Sequence, residues 1–260
     1  MKTLLLFAAS TLAGAPVVLV ENGRSAHQIC LPSQATAAEQ RGALELQKFL
    51  EEMSGARLPV SARCGPGPGI LLKYVPELGP EEFSLKTVGS NIVITGGRPR
   101  GVMYGVYTFL EKLGCRWFSS SLSRIPKRKT VLVEELEDHQ RPAFEMRWPG
   151  ITEAADKDWA ARNKLNGGGL PLDASTGGRV ECAPCGHSFY WLVPPDKFFA
   201  AHPEYFALVE GKRRSSDAQL CLTNPGTIRV GVERILRWLE ERPEVDIVGV
   251  CQEDWRGFCE

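Results

Sequence analysis

The N-terminal half of the chain contains enough predicted strands and helices to form a complete domain layer, which limits the folds open to the remaining residues. Residues 16–136 contain two amphipathic helical segments among several short apolar runs of strand length. A sheet that carries helices on one face is a compact α+β layer, so we expect this half to form a domain of its own. Less than half of the 260 residues then remains for everything that follows.

The spacing of apolar residues predicts where the elements of this first domain lie. A strand is predicted at Val17–Val20, and a helix over residues 35–53, whose apolar side chains recur at the three-and-four spacing of one helix face. A second helix is predicted over residues 99–113, because Pro99 suits a first helical turn and Gly114 suits a helix end. Further strands are predicted at residues 60–63, 70–74, 83–88 and 91–95.

The rest of the chain has a different pattern of charged, proline and apolar residues. Residues 120–142 are first basic and then acidic and contain prolines, which is typical of a linker between domains. Beyond it, short apolar runs at 144–148, 205–209, 220–222 and 246–251 alternate with helical segments. The longest of these helices is predicted from Asn224 to Leu239, with an apolar stripe of Ile228, Val232, Ile235 and Leu239. Such alternation is typical of a parallel, doubly covered sheet.

Composition excludes two classes of partner. The chain has 31 basic and 31 acidic residues, whereas a dedicated nucleic-acid binder gains much of its affinity from excess basic charge. We therefore predict no nucleic-acid partner. No segment reaches the roughly 20 apolar residues of a membrane helix, so no membrane span is predicted. No cofactor is predicted either.

Eight cysteines suit an exported protein, in which disulfides form and persist. Cys182-Ala183-Pro184-Cys185 is a single CxxC motif. A zinc site there would need two more ligands, for which Cys259 and His187 are the candidates. We favour a disulfide or free thiols at this motif over a metal, and we predict no metal site.

Both ends of the chain carry a signal. Residues 1–15 combine Lys2, a short apolar run and Ala13-Gly14-Ala15, which is the pattern of a secretory signal peptide. The alternative is that this run belongs to the first core element. The signal peptide predicts a secreted, periplasmic or cell-surface protein. At the other end, Phe258-Cys259-Glu260 follows a polar cluster without a closing helix, which predicts that the chain is a fragment.

Two sets of motifs resemble known families. Residues 94–107 (ITGGRPRGVMYGVY) and 113–118 (LGCRWF) resemble the small α+β domain that precedes the barrel in family 20 β-N-acetylhexosaminidases and family 67 α-glucuronidases. Downstream, residues 186–189 (GHSF), 202–206 (HPEYF) and 219–225 (QLCLTNP) resemble the family called "domain of unknown function 4838". Its members are secreted bacterial proteins of barrel type, related to those hydrolases.

This resemblance implies an α/β fold in two parts. Residues 16–136 are expected to form the α+β domain of hexosaminidase domain 2 type, and residues 137–260 the first half of a TIM (β/α)8-type barrel. A complete barrel needs about 250 residues, so this chain by itself is expected to be inactive. In such barrels the chemistry lies at the carboxyl ends of the strands.

The glycines at the start of the second predicted helix admit two interpretations. A strand, then Gly96-Gly97, then a helix could offer free N–H groups to a phosphate. The segment contains neither of the glycine-rich phosphate-binding motifs, GxxxxGK[ST] and GxGxxG. We therefore favour glycines that permit a tight turn and close packing, in agreement with the family.

Glu253-Asp254 supplies the candidate catalytic acids. Glycosidic cleavage needs one carboxylic acid to protonate the leaving oxygen, and a second carboxylate or a substrate group on the other face. In family 20 an adjacent Asp-Glu pair at this place holds the substrate's acetamido group and donates the proton, and here the order is reversed. The Gln252-x-Asp254 pattern matches the family of unknown function better, so we favour Asp254, with Glu253 second. The alternative is two acids in a solvated loop.

Four further residues are candidates for substrate binding. Arg147 resembles the family 20 arginine that grips sugar hydroxyls, with a structural salt bridge as the alternative. His187 could bond a hydroxyl or relay a proton, with a packed loop histidine as the alternative. Tyr190 and Trp255 offer rings that suit sugar faces. Weaker candidates are Asn163, Asn166, Tyr205 and Asn224.

Together these observations predict a glycoside-hydrolase-like protein that cleaves glycosidic bonds in a polysaccharide or glycan, in the manner of a hexosaminidase or an α-glucuronidase. The alternative is a non-catalytic carbohydrate-binding or cell-surface protein on the same scaffold. A zinc-dependent enzyme built on Cys182 and Cys185 is a third possibility. The sugar, the linkage and the choice between retention and inversion stay open.

Overall fold

A computed structural model of the chain describes residues 15–258, which divide into two compact units. The N-terminal unit comprises the chain up to Glu145 together with Pro149–Asn166 and Leu170–Gly178. The C-terminal unit comprises Met146–Trp148, Gly167–Gly169 and the chain from Arg179 onward. The predicted signal sequence lies almost entirely outside the described residues, and so does Cys259.

The N-terminal unit is built on a mixed six-stranded sheet. In chain order its elements are β1 (Val17–Val20), β2 (Gln28–Cys30), α1 (Ala37–Ser54), β3 (Val60–Ser61), β4 (Gly69–Tyr74), β5 (Phe83–Val88), β6 (Asn91–Gly96), α2 (Gly101–Lys112), β7 (Arg116–Trp117), β8 (Ser123–Arg124), β9 (Val131–Val133), β10 (Glu137–Gln140) and α3 (Lys157–Arg162). The sheet order is β10-β5-β6-β4-β2-β3, in which β3, β2, β4 and β6 are parallel and β5 is antiparallel to both of its neighbours. Two-stranded ladders join β1 to β9 and β7 to β8.

Local signals explain where α1 begins and ends. Thr36 and Glu39 form a capping box, in which each side chain accepts a hydrogen bond from the other residue's backbone N–H. Gly55 ends the helix in the left-handed conformation, at φ 86°, which costs glycine little. The apolar face of α1 packs on α2, and α2 packs on the sheet, so both predicted helices lie where the apolar spacing placed them.

The glycines before α2 permit a close approach of backbone to backbone. A Cβ on Gly97 would lie 1.9 Å from the carbonyl oxygen of Gly79, so no other residue fits there. The N–H of Gly97 donates to Glu82 O, and the N–H groups of Arg100 and Gly101 donate to Pro80 O at 3.0 and 3.1 Å. Because these donors already have partners, the geometry favours tight packing over a phosphate cradle.

A buried ion pair organises the start of α2. The Glu81 carboxylate accepts hydrogen bonds from Arg100 Nε at 2.6 Å and from Asn166 Nδ2 at 2.7 Å, and both charged side chains are 8% exposed. Arg100 Nη1 also donates to Gly177 O, and Asn166 Nδ2 also donates to Glu145 O. Asn166, a weak candidate for the site, is therefore part of the internal structure of this unit.

The helix α3 is held against α1 by two ion pairs. Arg162 donates to both carboxylate oxygens of Glu45, at 2.6 and 3.0 Å, and Arg41 donates to Asp158 at 2.7 Å. Arg41 also donates to the hydroxyl of Tyr107, whose pKa is raised to about 12, mainly by burial and then by the charge of Glu45. These contacts join residues more than sixty positions apart in the sequence.

The C-terminal unit has short elements around a small core. They are α4 (Phe189–Leu192), α5 (Pro195–Phe198), β11 (Leu208–Val209), β12 (Lys212–Arg213) and α6 (Pro225–Glu241). The core cluster contains Phe189, Leu192, Val193, Tyr205, Phe206 and Leu220. The unit also has isolated parallel bridges, Gly167↔Val180, Cys182↔Ile247 and Ala218↔Gly257, and one antiparallel bridge, Phe206↔Leu220.

Two predicted strands need correction. Residues 144–148 form no strand, and the predicted strand at 246–251 is reduced to a single bridge at Ile247. The helix α6 forms as predicted, capped by the Asn224 side chain, which accepts from the Gly226 N–H at 2.8 Å. Its apolar stripe is only partly covered: Ile228 is 47% exposed and Val232 is 48% exposed.

None of the helices in the described part of the chain is long and apolar enough to cross a membrane.

Two disulfides cross-link the chain, one in each unit. Cys30 is bonded to Cys64, and Cys182 is bonded to Cys185. The CxxC motif is therefore a disulfide in this structure, and among residues 15–258 no group of three or more potential ligands is placed to hold a metal ion. Burial raises the pKa of the free thiol of Cys115 to about 12, so this thiol stays protonated at neutral pH.

The buried ion pair gives a test of stability. Replacing Arg100 by Leu removes one charged partner of the buried Glu81 carboxylate, and we expect the free energy of unfolding to fall by about 3–5 kcal/mol. The control is Arg57→Leu, which removes the exposed pair with Glu51 and should cost less than about 1 kcal/mol. Denaturant unfolding of both variants measures the difference, and equal losses would contradict the role given to Glu81.

Candidate active site

The two predicted acids lie in a backbone segment that one buried amide holds in place. The side chain of Gln219, 3% exposed, donates from Nε2 to the carbonyl oxygens of Glu253 and Trp255, at 2.7 and 2.6 Å. Its Oε1 accepts the backbone N–H of Glu253 at 3.0 Å. Gln219 thus uses its amide at both ends to fix the acid-bearing segment. It was not among the predicted site residues, although it lies in the QLCLTNP motif.

The side chains of the two acids have different environments. Oε1 of Glu253 accepts the backbone N–H of Tyr190 at 2.9 Å, so this half-buried carboxylate secures the first turn of α4. The Asp254 side chain is exposed. Of the two, Asp254 is the one that can reach a ligand without giving up a protein hydrogen bond.

Residues of the loop before α4 also bond to the backbone of the acid-bearing segment. The backbone N–H of Ser188 donates to Cys251 O at 3.0 Å, and Ser188 Oγ accepts the N–H of Cys251 at 2.8 Å. His187, which is exposed, contacts Gln252 O through Nδ1 at 2.8 Å. With Nδ1 as the donor in this bond, Nε2 is left as the acceptor that faces away.

The aromatic candidates meet beside Glu253. The rings of Tyr190 and Trp255 are edge to face, with centroids 5.1 Å apart, and Trp255 is 37% exposed. The Tyr190 hydroxyl is buried and has no hydrogen-bond partner in the described structure. Burial raises its pKa to about 12, and the charges of Glu253 and Asp217 add to the effect. Asp217 therefore supplies a further carboxylate at this cluster, which the sequence did not single out.

The structure brings together five of the six predicted site residues: His187, Tyr190, Glu253, Asp254 and Trp255. The sixth, Arg147, is half-buried and comes from Met146–Trp148 of the same unit. A Cβ on Gly167 or Gly168 would collide with Met146 or Trp148, so this segment lies against the glycine run.

The weaker candidates have structural roles. Asn163 donates to the carbonyl oxygens of Trp117 and Trp159, within the N-terminal unit. Asn224 caps α6, and Tyr205 is buried in the core of the C-terminal unit, where its ring stacks on His202. None of these three residues contributes to the acid cluster through a hydrogen bond described here.

The sheet with its two helices and the acid-bearing segment define a mixed α/β protein related to glycosidases. Residues 22–127 match the model of glycosyl hydrolase family 20, domain 2, which confirms the predicted type of the N-terminal domain. Residues 117–260 match the model described as "Domain of unknown function (DUF4838)", and the chain belongs to this family. Among curated proteins, none matches the chain.

The fold of the chain is similar to that of one solved glycosidase. The chain superposes on a family 115 4-O-methyl-α-glucuronidase, BtGH115A, with a TM-score of 0.56 at 12% identity, over 88% of this chain and 41% of that one. The family 20 β-N-acetylhexosaminidase of Streptomyces coelicolor A3(2) gives a TM-score of 0.39 at 23% identity, over 52% of this chain and 25% of that one. The β-hexosaminidase of Streptomyces plicatus gives 0.38 at 24% identity, over 59% and 30%. The chain thus spans less than half of each of these proteins.

The unpartnered hydroxyl at the cluster gives a second test. Tyr190→Phe removes a buried group that makes no hydrogen bond, so we expect unfolding free energy to stay unchanged or to rise slightly. Tyr107→Phe is the matched control, because its equally buried hydroxyl accepts from the Arg41 guanidinium, and we expect a loss of about 1.5–3 kcal/mol. Thermal or denaturant unfolding checks both values. A clear loss in Tyr190→Phe would show that its hydroxyl has a partner.

Proposed function

We propose that this protein is an exported glycoside hydrolase that cleaves glycosidic bonds in a polysaccharide or glycan, with hexosaminidase- or α-glucuronidase-like chemistry. The observation that carries the proposal is the exposed Asp254 carboxyl on a segment fixed by Gln219 and Ser188, beside the partly exposed ring of Trp255. Protonation of a glycosidic oxygen requires a carboxylic acid held beside the scissile bond, and an exposed aromatic ring can pack against the apolar face of a sugar. The family 20 domain 2 match and the glucuronidase fold neighbour support it.

The C-terminal unit is proposed to be the first half of a (β/α)8-type barrel. Its parallel bridges, Gly167↔Val180 and Cys182↔Ile247, join successive segments of the chain in the direction expected of barrel strands. Glu253 and Asp254 follow Ile247 in the chain, so in such a barrel they would lie beyond the carboxyl end of this strand. That is the end where barrel enzymes hold their catalytic groups.

Each residue of the candidate site has a proposed role in binding or protonating the substrate. Asp254 is the general acid, because it is the one of the two adjacent carboxyl groups that a ligand can reach without displacing a protein hydrogen bond. Glu253 is the second candidate, and its bond to the Tyr190 N–H makes it primarily a positioning residue. His187 presents Nε2 to a sugar hydroxyl, Arg147 offers a guanidinium fork to hydroxyls or a uronate carboxylate, and Trp255 offers its ring to the apolar face of a sugar.

Export is proposed on two grounds. The first is the signal-like sequence at residues 1–15, and the second is the pair of disulfides, which form and persist in oxidising compartments.

One observation favours the second candidate function, carbohydrate binding without turnover. Glu253 is engaged by backbone, so the adjacent acids do not form a pair of free carboxyl groups. Hydrolysis by the usual route needs a second carboxylate about 5–10 Å from the acid or a substrate group in its place. Asp217, whose charge helps to raise the pKa of Tyr190, is the candidate for this second carboxylate.

The test is a screen of the full-length gene product against aryl glycosides and uronic-acid-bearing oligosaccharides, followed by Asp254→Asn. We expect this variant to lose at least about 100-fold in kcat with little change in melting temperature, because it removes the proton donor from an exposed position. Asp196→Asn, which changes an exposed aspartate of the same unit, is the control and should retain full activity. Glycan binding without turnover of any substrate would replace the hydrolase by the binding protein, and full activity of Asp254→Asn would reject Asp254 as the acid.

A further inference from the structure

The CxxC motif closes a short loop that lies against the backbone leading to the two acids. Cys182 and Cys185 are joined by a disulfide, and Cys182 forms a parallel bridge with Ile247. Two residues are enclosed between the cysteines. The first of them, Ala183, donates its N–H to Ile247 O at 3.0 Å. The disulfide loop therefore bonds directly to the stretch of chain that carries the acids.

The second enclosed residue makes a closer contact with the same stretch. Pro184 O accepts the Gly249 N–H at 2.9 Å, and a Cβ on Gly249 would lie 2.6 Å from this oxygen. The two backbones are therefore in contact, with no room for a side chain between them. Ala183 and Pro184 can make these bonds only while the loop keeps its turn, and the disulfide holds the ends of that turn at a Cα separation of 5.5 Å.

The bonds of the loop belong to a continuous series. Before the loop, Glu181 O accepts the N–H groups of Asp246 and Ile247 at 2.9 and 3.0 Å. After the loop, the Ser188 N–H donates to Cys251 O at 3.0 Å, and Ser188 Oγ accepts the Cys251 N–H at 2.8 Å. The disulfide lies in the middle of this series, where the two stretches of chain come closest to the acids.

Regular secondary structure does not support this stretch. Ile247 forms an isolated bridge, and residues 248–251 belong to no helix or strand in the described part of the chain. An irregular segment with few backbone bonds opens locally at a low free-energy cost. Both cysteines of the loop are half-buried, so a small reductant can reach them.

We propose that the Cys182–Cys185 disulfide is a redox switch for the order of the acid-bearing segment. The oxidised loop holds residues 246–253 in place, and reduction by an external dithiol releases them. A thiolate of the reagent attacks one sulfur of the loop and forms a mixed disulfide, which the second thiol of the reagent then displaces. The reagent leaves as its own disulfide, and the protein takes up two electrons and two protons as two thiols.

The switch couples the order of the site to the compartment in which the protein resides. Disulfides persist in oxidising compartments and are kept reduced in the cytosol. In an exported protein the acid-bearing segment would therefore become ordered only after export. The effect on the backbone is independent of the proposed hydrolase function, whereas any effect on turnover rests on that function.

The size of the loop makes the switch a local device. A disulfide stabilises a fold mainly by restricting the unfolded chain, and its effect grows with the length of the loop that it closes. Cys182 and Cys185 are three positions apart, whereas Cys30 and Cys64 are 34 positions apart. Loss of the short-loop disulfide should therefore change the melting temperature less than loss of the long-loop disulfide.

Hydrogen–deuterium exchange of the double variant Cys182→Ser/Cys185→Ser tests the proposal, because two serines reproduce the open loop without a redox reagent. We expect the backbone N–H groups of Ile247, Gly249 and Cys251 to exchange at least about 10-fold faster than in the unsubstituted protein, since they lose the support of the loop.

Two controls separate the switch from a general loosening of the unit. The N–H groups of Ala207 and Cys221, which donate to backbone carbonyl oxygens within the same unit, should exchange at unchanged rates. The double variant Cys30→Ser/Cys64→Ser, which removes the other disulfide, should leave the exchange of residues 246–251 unchanged.

Reduction of the disulfide itself gives a second measurement. The variant that lacks Cys30 and Cys64 is treated with dithiothreitol, so that among the disulfides of the described chain only Cys182–Cys185 can open. We expect the exchange of residues 246–251 to rise as it does in the double serine variant, and reoxidation should restore the slow exchange.

Three results would overturn the proposal, whatever happens to turnover. The first is unchanged exchange of residues 246–251 in Cys182→Ser/Cys185→Ser, and the second is unchanged exchange after reduction. The third is an equal rise at Ala207 and Cys221, because the disulfide would then hold the whole unit together and not this segment in particular.

Discussion

The structure of the N-terminal unit depends on the hydrogen bonds that distant residues donate to one buried carboxylate, that of Glu81. Glu81 is almost excluded from water, and a charge in that position is tolerated only when paired and bonded. Its donors come from Arg100, at the start of α2, and from Asn166, which lies 85 residues further along the chain than Glu81. Because Arg100 also binds Gly177 O and Asn166 binds Glu145 O, one carboxylate brings four distant segments to one place. This explains why residues up to Gly178 belong to the N-terminal unit, well beyond β10.

The acid cluster is organised by a comparable device that uses neutral groups. Gln219 and Ser188 satisfy backbone donors and acceptors of residues 251–255, which form no regular ladder of their own. Because Gln219 and Ser188 bond only to the backbone of residues 251–255, the side chains of that segment can point in different directions. Glu253 turns towards α4, and Asp254 lies exposed. The irregular backbone thus gives two adjacent acids different environments, whereas in a regular strand their side chains would point to opposite faces.

Short-range patterns predicted the elements that depend on neighbouring residues. The helices α1, α2 and α6 were found from apolar spacing and from cap residues such as Thr36, Gly55 and Asn224, because helix bonds and caps span only a few positions. The prediction of regular strands at 144–148 and 246–251 was wrong, because a strand forms only when a distant segment pairs with it, and the local sequence does not show that partner. The roles of Gln219 and Asn166 escaped prediction for the same reason: their partners lie 21 to 85 positions away.

By itself the sequence determined the α/β class, the family, the three long helices and the identity of the acid-bearing segment, because motifs and periodicity are local properties of the chain. The tertiary structure was needed to show which cysteines of the described residues pair and which of Glu253 and Asp254 is exposed. These outcomes depend on which distant residues meet and on which groups lose contact with water. Neither is encoded in the spacing of a single segment.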